Sequence, residues 1–61
     1  MKNLVSIVIR TKNEEKWIES CLKSVFNQNY KNFEVIIVDN NSTDKTIKRA
    51  LEYKVRIVKI K

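Results

Sequence analysis

The sequence predicts an α/β fold in which three parallel strands alternate with two helices, β-α-β-α-β, as in one half of a doubly wound sheet. Three apolar runs, at residues 4–10, 33–39 and 55–60, are rich in Val and Ile, as strands are. The stretches between them carry apolar residues three and four apart, which is the spacing of a helix. Because such connections join parallel strands through right-handed crossovers, the second strand is expected between the first and the third.

The first strand and the first helix have the clearest patterns. Residues 4–10 are apolar at nearly every position, as expected of a strand that is covered on both faces. A helix is predicted over residues 13–28, before the polar segment 28–32. Its apolar side is expected to consist of Trp17, Ile18, Cys21, Leu22, Val25 and Phe26.

The rest of the chain continues this alternation. Residues 33–39 are predicted as the second strand, residues 43–53 as the second helix and residues 55–60 as the third strand. The inward side of the second helix is expected to carry Ile47, Ala50 and Leu51. A chain of 61 residues makes one small domain, residues 1–61, which buries only about 60% of its unfolded surface.

The composition excludes several classes of site. The chain has no Gly, so a Gly-rich phosphate loop, whether a dinucleotide fingerprint or a P-loop, cannot occur. Cys21 is the single cysteine and the chain has no His, so Cys21 is expected to be a buried free thiol rather than a nucleophile. Because no apolar run approaches about 20 residues and no signal peptide is apparent, no transmembrane segment and a cytoplasmic location are predicted.

The basic charge is concentrated near the end of the sequence. The formal net charge is +6, and residues 45–61 carry seven basic and one acidic side chain, which accounts for all of it. Such a segment can attract phosphates or can be a solvated surface that discourages aggregation. Nucleic acid is an unlikely partner, because the few aromatic residues, Trp17, Phe26 and Phe33 among them, fit a core better than a stacking platform.

Polar clusters follow the first two strands directly. Parallel pairing places residues 10–14 beside residues 39–42 at the carboxyl edge of the sheet, where α/β folds bind ligands. The amides at the start of each following helix favour an anion such as a diphosphate. Helix capping is an alternative explanation for most of these side chains, namely Thr11, Asn13, Asn41, Ser42 and, in a capping box with Thr11, Glu14. Capping does not explain Asp39, which ends a buried strand where an unpaired carboxylate is costly.

Three segments carry motifs of particular spacing. They are VSIVIRTKNEE at residues 5–15, CLKSVFNQ at residues 21–28 and FEVIIVDNNSTDKT at residues 33–46. Together they resemble the opening of the inverting family 2 glycosyltransferases, and the resemblance covers essentially the whole chain. It implies a GT-A fold in which this N-terminal portion binds the nucleotide of a nucleotide-sugar donor.

The resemblance also implies roles for particular residues. The nucleotide-binding set is Thr11, Asn13 and Glu14 at the first loop, with Asp39 and Asn40 reaching the base and ribose. Further contacts with phosphate or base are expected from Arg10 and Lys12. The family usually has Pro at the position of Arg10, often an aromatic residue at that of Lys12, and often Asp at that of Asn40. The base is therefore open among uracil, thymine and guanine.

The family's remaining catalytic elements are expected outside these residues. Its members hold Mn²⁺ or Mg²⁺ through an Asp-x-Asp motif farther along the chain and use a later carboxylate as general base. No catalytic residue and no metal ligand is therefore expected in residues 1–61, which are interpreted as a fragment that transfers sugar poorly alone. The alternative hypothesis is a non-catalytic binding or assembly module that forms homo-oligomers through its open sheet edges.

Overall fold

A computed structural model describes residues 3–61 and contains five elements. In chain order they are β1 (Val5–Thr11), α1 (Ile18–Phe26), β2 (Phe33–Asn40), α2 (Thr46–Ala50) and β3 (Arg56–Ile60). The strands form one sheet in the order β1-β2-β3, and both neighbouring pairs are parallel. The predicted α/β class, the β-α-β-α-β order and the central place of the second strand are confirmed.

Both helices pack on one face of the sheet. Alternate residues of β2 point to this face, and Val35, Ile37 and Asp39 are buried there. The buried hydrophobic core is small and consists of Ile18, Leu22, Val35, Ile37 and Ala50. Because the two right-handed crossovers advance in the same direction across the sheet, they place both helices on the same side.

The opposite face is uncovered in the part of the chain that the structure describes. Val8 is 57% exposed, and Val58 and Ile60 are 39% and 37% exposed. Ile36 and Val38 of β2 lie on the same face, where Ile36 pairs with Val8 and Val38 pairs with Val58 in the register. The prediction that β1 is covered on both faces is therefore wrong for residues 3–61, because both helices lie on the other side.

Both helices are shorter than the sequence pattern predicts. α1 begins at Ile18 rather than at residue 13, because Asn13 has a φ of 54° and a turn occupies residues 15–17. α2 is limited to Thr46–Ala50, since a turn follows at Leu51. Within residues 3–61, no helix is long and apolar enough to cross a membrane.

Three side chains that the pattern placed inward are less buried than expected. Trp17 and Leu51 lie just outside the two helices and are 46% and 59% exposed. Cys21 is a free thiol, as predicted, but it is half-buried rather than buried. Partial burial still raises the pKa of the Cys21 thiol, which keeps it in the protonated, less reactive form.

Candidate functional site

The two polar clusters meet at the carboxyl edge of the sheet. Thr11 and Asp39 are partners in the register of β1 and β2. Loop 1 (residues 12–17) and loop 2 (residues 41–45) therefore leave the sheet side by side, in the arrangement that parallel pairing predicted.

Asp39 lies at the centre of this edge and is 1% exposed. Its Oδ1 accepts hydrogen bonds from Thr11 Oγ1 and from Ser42 Oγ, each at 2.6 Å. Its Oδ2 accepts a third, from the backbone N–H of Ser42 at 2.8 Å. Hydrogen bonds to a carboxylate are strong, so these three donors offset the cost of burying the charge.

Two hydroxyl groups connect loop 1 to the carboxylates of the second half of the chain. Ser42 Oγ accepts a hydrogen bond from the backbone N–H of Asn13 at 2.8 Å and donates one to Asp39. Thr46 Oγ1 likewise accepts from the backbone N–H of Glu14 at 2.7 Å and donates to Asp44 Oδ1. Each hydroxyl thus uses its acceptor and donor functions in a fixed direction, from a loop 1 amide to a carboxylate.

Further hydrogen bonds join the same two loops. The backbone N–H of Glu15 donates to Asp44 Oδ2 at 3.2 Å, and that of Thr43 donates to Asn13 Oδ1 at 2.8 Å. Arg49 Nη1 donates to the Glu15 carbonyl at 2.9 Å. We call these bonds, together with those of Asp39, Ser42 and Thr46, the interloop network. It gives the amides of residues 13–15 acceptors within the protein, so they are engaged where the sequence suggested free amides for a diphosphate.

Helix capping does not explain the polar residues. The N-cap positions of α1 and α2 are Trp17 and Lys45, and neither makes a side-chain capping hydrogen bond. Thr11 lies in β1 and donates to Asp39, so the predicted capping box with Glu14 does not form. The polar side chains satisfy each other across the two loops instead.

Two asparagines occupy backbone conformations that normally favour glycine. Asn13 and Asn41 have φ values of 54° and 57°. Asn is among the non-glycine residues that adopt this region most readily. In a chain without Gly, these positions allow the sharp turns that bring loop 1 and loop 2 into contact.

The interloop network lowers the pKa of both aspartates. Burial by itself raises the pKa of Asp39, but the hydrogen bonds from Ser42 and Thr11 outweigh it and hold the pKa below its ordinary value. The pKa of Asp44 is also lowered, because the hydrogen bonds from Thr46 and Glu15 exceed the effect of desolvation. Both groups therefore remain ionised at neutral pH and keep accepting these hydrogen bonds.

An open cleft of about 240 Å³ lies at the same edge. Five of the seven residues proposed from the sequence line it, namely Arg10, Thr11, Lys12, Glu14 and Asn40, and Val38 and Ile60 form its apolar wall. Asp39 and Asn13 are not among its lining residues. Strand alternation could have indicated this division, because Arg10, Val38 and Asn40 point to the uncovered face, whereas Asp39 points to the helices.

Sequence reasoning missed the part that Thr46 and Ser42 play. Thr46 is fully buried and bonded to Asp44, and Ser42 contacts Asp39 through both its N–H and its hydroxyl. A local signal existed for Thr46 and Asp44, since an Asp that accepts a hydrogen bond from the backbone two residues later is a common turn motif. The contacts to loop 1 have no such signal.

A larger concavity of about 480 Å³ lies at the opposite edge of the sheet. Its lining includes Phe26, Phe33 and Val55, which all pack against the core. The Phe26 and Phe33 ring centroids are 5.5 Å apart. This concavity is the open margin of the hydrophobic core, so we place the candidate site at the carboxyl edge, where the polar groups converge.

The metal that the resemblance implies does not fit the residues described. Within residues 3–61, no group of three or more His, Cys, Asp or Glu side chains converges. The oxygens of Asp39 and Asp44 are directed at hydrogen-bond donors of the chain. These two carboxylates therefore do not form a site of the kind that Mn²⁺ or Mg²⁺ requires.

Comparison with known proteins identifies the family. The model of glycosyl transferase family 2 matches residues 6–61, which is nearly the whole chain. The chain belongs to glycosyl transferase family 2. The three-stranded parallel sheet with its two crossover helices is consistent with half of the Rossmann-like GT-A fold expected of this family.

Several family 2 relatives match the same region. A dolichyl N-acetyl-alpha-D-glucosaminyl phosphate 3-beta-D-2,3-diacetamido-2,3-dideoxy-beta-D-glucuronosyltransferase of Methanococcus voltae is 53% identical over 47 residues, covering 74% of this chain. The GalNAc(5)-diNAcBac-PP-undecaprenol beta-1,3-glucosyltransferase of Campylobacter jejuni is 38% identical over 69% of this chain. Glycosyltransferase GlyG of Streptococcus pneumoniae is 39% identical over 72%. The matched regions span only 14% to 15% of these relatives' own lengths.

Proposed function

We propose that residues 1–61 form the nucleotide-binding portion of a GT-A glycosyltransferase domain that transfers a sugar from a nucleotide-sugar donor to an acceptor hydroxyl. Membership of glycosyl transferase family 2 supports the reaction class. The observation that carries the binding role is the cleft at the carboxyl edge of the sheet, with exposed Arg10, Lys12 and Asn40 beside an apolar wall. Polar groups that converge on a partly apolar concavity are typical of small-ligand sites.

The seven proposed residues divide into two groups by their contacts. Arg10, Lys12, Glu14 and Asn40 line the cleft, and we assign the direct contacts with the nucleotide to them. Thr11 lines it too, although its hydroxyl is directed to Asp39. Asn13 and Asp39 support the cleft from behind through the interloop network. Lys12 is additionally held by a 3.2 Å hydrogen bond from its Nζ to the Asn41 carbonyl.

The family resemblance suggests uracil, thymine or guanine as the base, and the groups in the cleft can pair with a carbonyl beside an N–H group. The Arg10 guanidinium only donates hydrogen bonds, whereas the Asn40 amide both donates and accepts. Uracil, thymine and guanine all present a carbonyl and an adjacent N–H, so uridine, thymidine and guanosine diphosphate sugars are the proposed donors. Cytosine and adenine present an amino group in place of that carbonyl.

A nucleotide titration of the isotopically labelled chain tests this proposal. UDP, dTDP or GDP should shift the backbone amides of residues 10–14 and 39–42, and CDP and ADP should bind more weakly. Asn40→Ala and Arg10→Ala should each weaken binding at least about fivefold, because each removes hydrogen bonds to the base or phosphate. Arg56→Ala, an exposed cation far from the cleft, is the matched control. Dispersed spectra that respond to none of the five nucleotides contradict the proposal.

A second candidate function is self-association, and the uncovered sheet face favours it. Val8, Val58 and Ile60 form an exposed apolar strip on the side opposite the helices. β1 and β3 are also the two edges of the sheet within the described residues. A second copy of the chain could cover this face, and a molar mass that rises with protein concentration in light scattering is the test.

A further inference from the structure

We infer that Asp39 and Asp44 are positioning residues, which hold loop 1 against loop 2 so that the cleft exists before a nucleotide arrives. This inference rests on the proposed nucleotide-binding function and adds roles for two carboxylates that do not line the cleft. Asp44 is not among the residues proposed for binding from the sequence. Asp39 receives a role different from the base contact that the family resemblance implies.

The Asp39 carboxylate is buried and hydrogen-bonded within the chain. Both oxygens accept hydrogen bonds within the chain, and the side chain is 1% exposed. Thr11, which supplies one of the donors, is 3% exposed. A ligand cannot reach these oxygens without breaking bonds that the protein already makes.

Two hydroxyl groups each accept a hydrogen bond from loop 1 and donate one to a carboxylate. Ser42 Oγ accepts a hydrogen bond from the Asn13 N–H while its own hydroxyl proton is directed at Asp39, so the carboxylate fixes which side of the hydroxyl faces loop 1. Thr46, fully buried, stands in the same relation to the Glu14 amide and Asp44. Each carboxylate therefore orients a hydroxyl, and the hydroxyl in turn holds one residue of loop 1.

The two carboxylates hold the amides of consecutive residues of loop 1. Asp39 holds the amide of Asn13 in place through Ser42. Asp44 holds the amide of Glu14 through Thr46, and its Oδ2 accepts the N–H of Glu15 directly at 3.2 Å. Glu14 lines the cleft, and Lys12 precedes this segment. The position of the cleft's loop 1 wall thus depends on contacts made on the far side of the loop.

Backbone amide hydrogen exchange of the 61-residue chain tests the assignment residue by residue. Asp39→Asn should accelerate exchange at Asn13 and Ser42, and Asp44→Asn should accelerate it at Glu14 and Glu15, each by about tenfold. The central strand amides should keep their protection, which separates loop release from global unfolding. Glu52→Gln, an exposed carboxylate on the turn after α2, is the matched control.

Substitutions of the hydroxyl residues supply a second measurement. Ser42→Ala should accelerate exchange at Asn13 and leave the amide of residue 42 protected, because that backbone N–H still bonds to Asp39, and Ser42→Thr should restore the protection of Asn13. Thr46→Val should accelerate exchange at Glu14 but not at Glu15, because valine preserves the volume and removes the hydroxyl, whereas Glu15 bonds to Asp44 directly. If the rescue by threonine is absent, or if the aspartate variants leave the amides of residues 13–15 unchanged, the inference is overturned.

The nucleotide titration keeps the two proposals distinguishable. Failure of the unmodified chain to bind any nucleotide overturns the proposed function, whereas the exchange pattern decides the positioning role independently. With binding present, the aspartate variants should lose affinity together with loop protection. A loss of affinity with unchanged loop exchange means that Asp39 or Asp44 touches the nucleotide, and it overturns the inference.

Discussion

At the scale of single residues, the face of β2 from which a polar side chain projects decides whether it is buried under the helices or lines the cleft. Asp39 and Asn40 are neighbours in sequence, yet Asp39 is 1% exposed and bonded to Thr11 and Ser42, whereas Asn40 lines the cleft. Successive side chains of a strand point to opposite faces, so one of the two had to lie under the helices. The adjacent carboxylate and amide therefore have different environments, one within the interloop network and the other in the cleft.

A residue-scale prediction concerns Asn41, whose φ is 57°. Asn41→Gly should leave the free energy of unfolding nearly unchanged, because Gly adopts this conformation freely but gains entropy in the unfolded chain. Asn41→Ala should cost about 1 kcal/mol, since alanine in the left-handed region is strained. Urea unfolding measures both, with Asn29→Ala, at a position without positive φ, as the control. Equal stability of the Ala and Gly variants would contradict the role of the backbone conformation.

At the scale of elements, the sheet and α1 provide the stability and the loops provide the site. The core contributed by α1 consists mainly of Ile18 and Leu22, both fully buried against Val35 and Ile37 of β2. α2 contributes Ala50 to this core and the buried Thr46 to the interloop network. α2 thus connects the core to the interloop network, whereas α1 packs in the core.

The α1 core gives a prediction about stability. Leu22→Ala should cost about 2–5 kcal/mol, because the side chain is fully buried and its removal leaves a cavity. A domain of this length has a total stability of about 3–9 kcal/mol, so this variant should lose a large part of it. Leu51→Ala, at a 59% exposed leucine, should change the stability by less than about 0.5 kcal/mol. Circular dichroism with urea measures both, and similar losses for the two leucines would contradict the assigned core.

The loops give a prediction about pH. Because the pKa of Asp39 and that of Asp44 are lowered in the folded chain, the folded state binds protons less readily than the unfolded state at these sites. Their stabilising contribution is present above the ordinary aspartate range, near pH 4, and is lost as the pH falls through the lowered values.

Amide spectra recorded during acid titration test the pH prediction. The amides of Asn13 and Ser42 should move with a midpoint below the ordinary aspartate value, and this response should disappear in Asp39→Asn. Amide shifts that titrate equally in the variant would assign the transition to another group.

At the scale of the whole molecule, the described chain has one covered and one uncovered sheet face. Its accessible surface of 4725 Å² exceeds the value of about 4,200 Å² expected for a monomeric protein of 7.3 kDa. Parallel sheets are normally covered on both faces, and exposed apolar strips mark interaction surfaces. The net charge of +6 opposes the approach of a second copy.

These opposing terms predict salt-dependent self-association. Added salt screens the charge without weakening the apolar contact, so the molar mass from light scattering should increase with both protein and salt concentration. Val8→Lys should reduce this association, whereas Ser20→Lys, which adds the same charge on the exposed side of α1, should reduce it much less. A mass that remains monomeric under all conditions contradicts the second candidate function. Binding to nucleic acid would show the opposite dependence on salt.

The sequence by itself determined the class of this protein and the location of its candidate site. Continuous apolar runs predict the three strands, apolar spacings of three and four residues predict the two helices, and parallel pairing then brings residues 10–14 beside residues 39–42. The motifs in these segments also indicate the family. These features follow from local patterns and from the restricted handedness of crossover connections.

Only the tertiary structure decided which polar groups form hydrogen bonds within the chain and which are free to contact a ligand. Asn13 and Ser42 are 29 positions apart, as are Glu15 and Asp44, and no local pattern states that they bond to each other. The same contacts shorten the helices and replace the predicted caps. Hydrogen-bond partners across two loops are determined by how the loops pack in three dimensions, and this is why strand alternation can separate Asp39 from Asn40, whereas no sequence pattern names the partners of the loop residues.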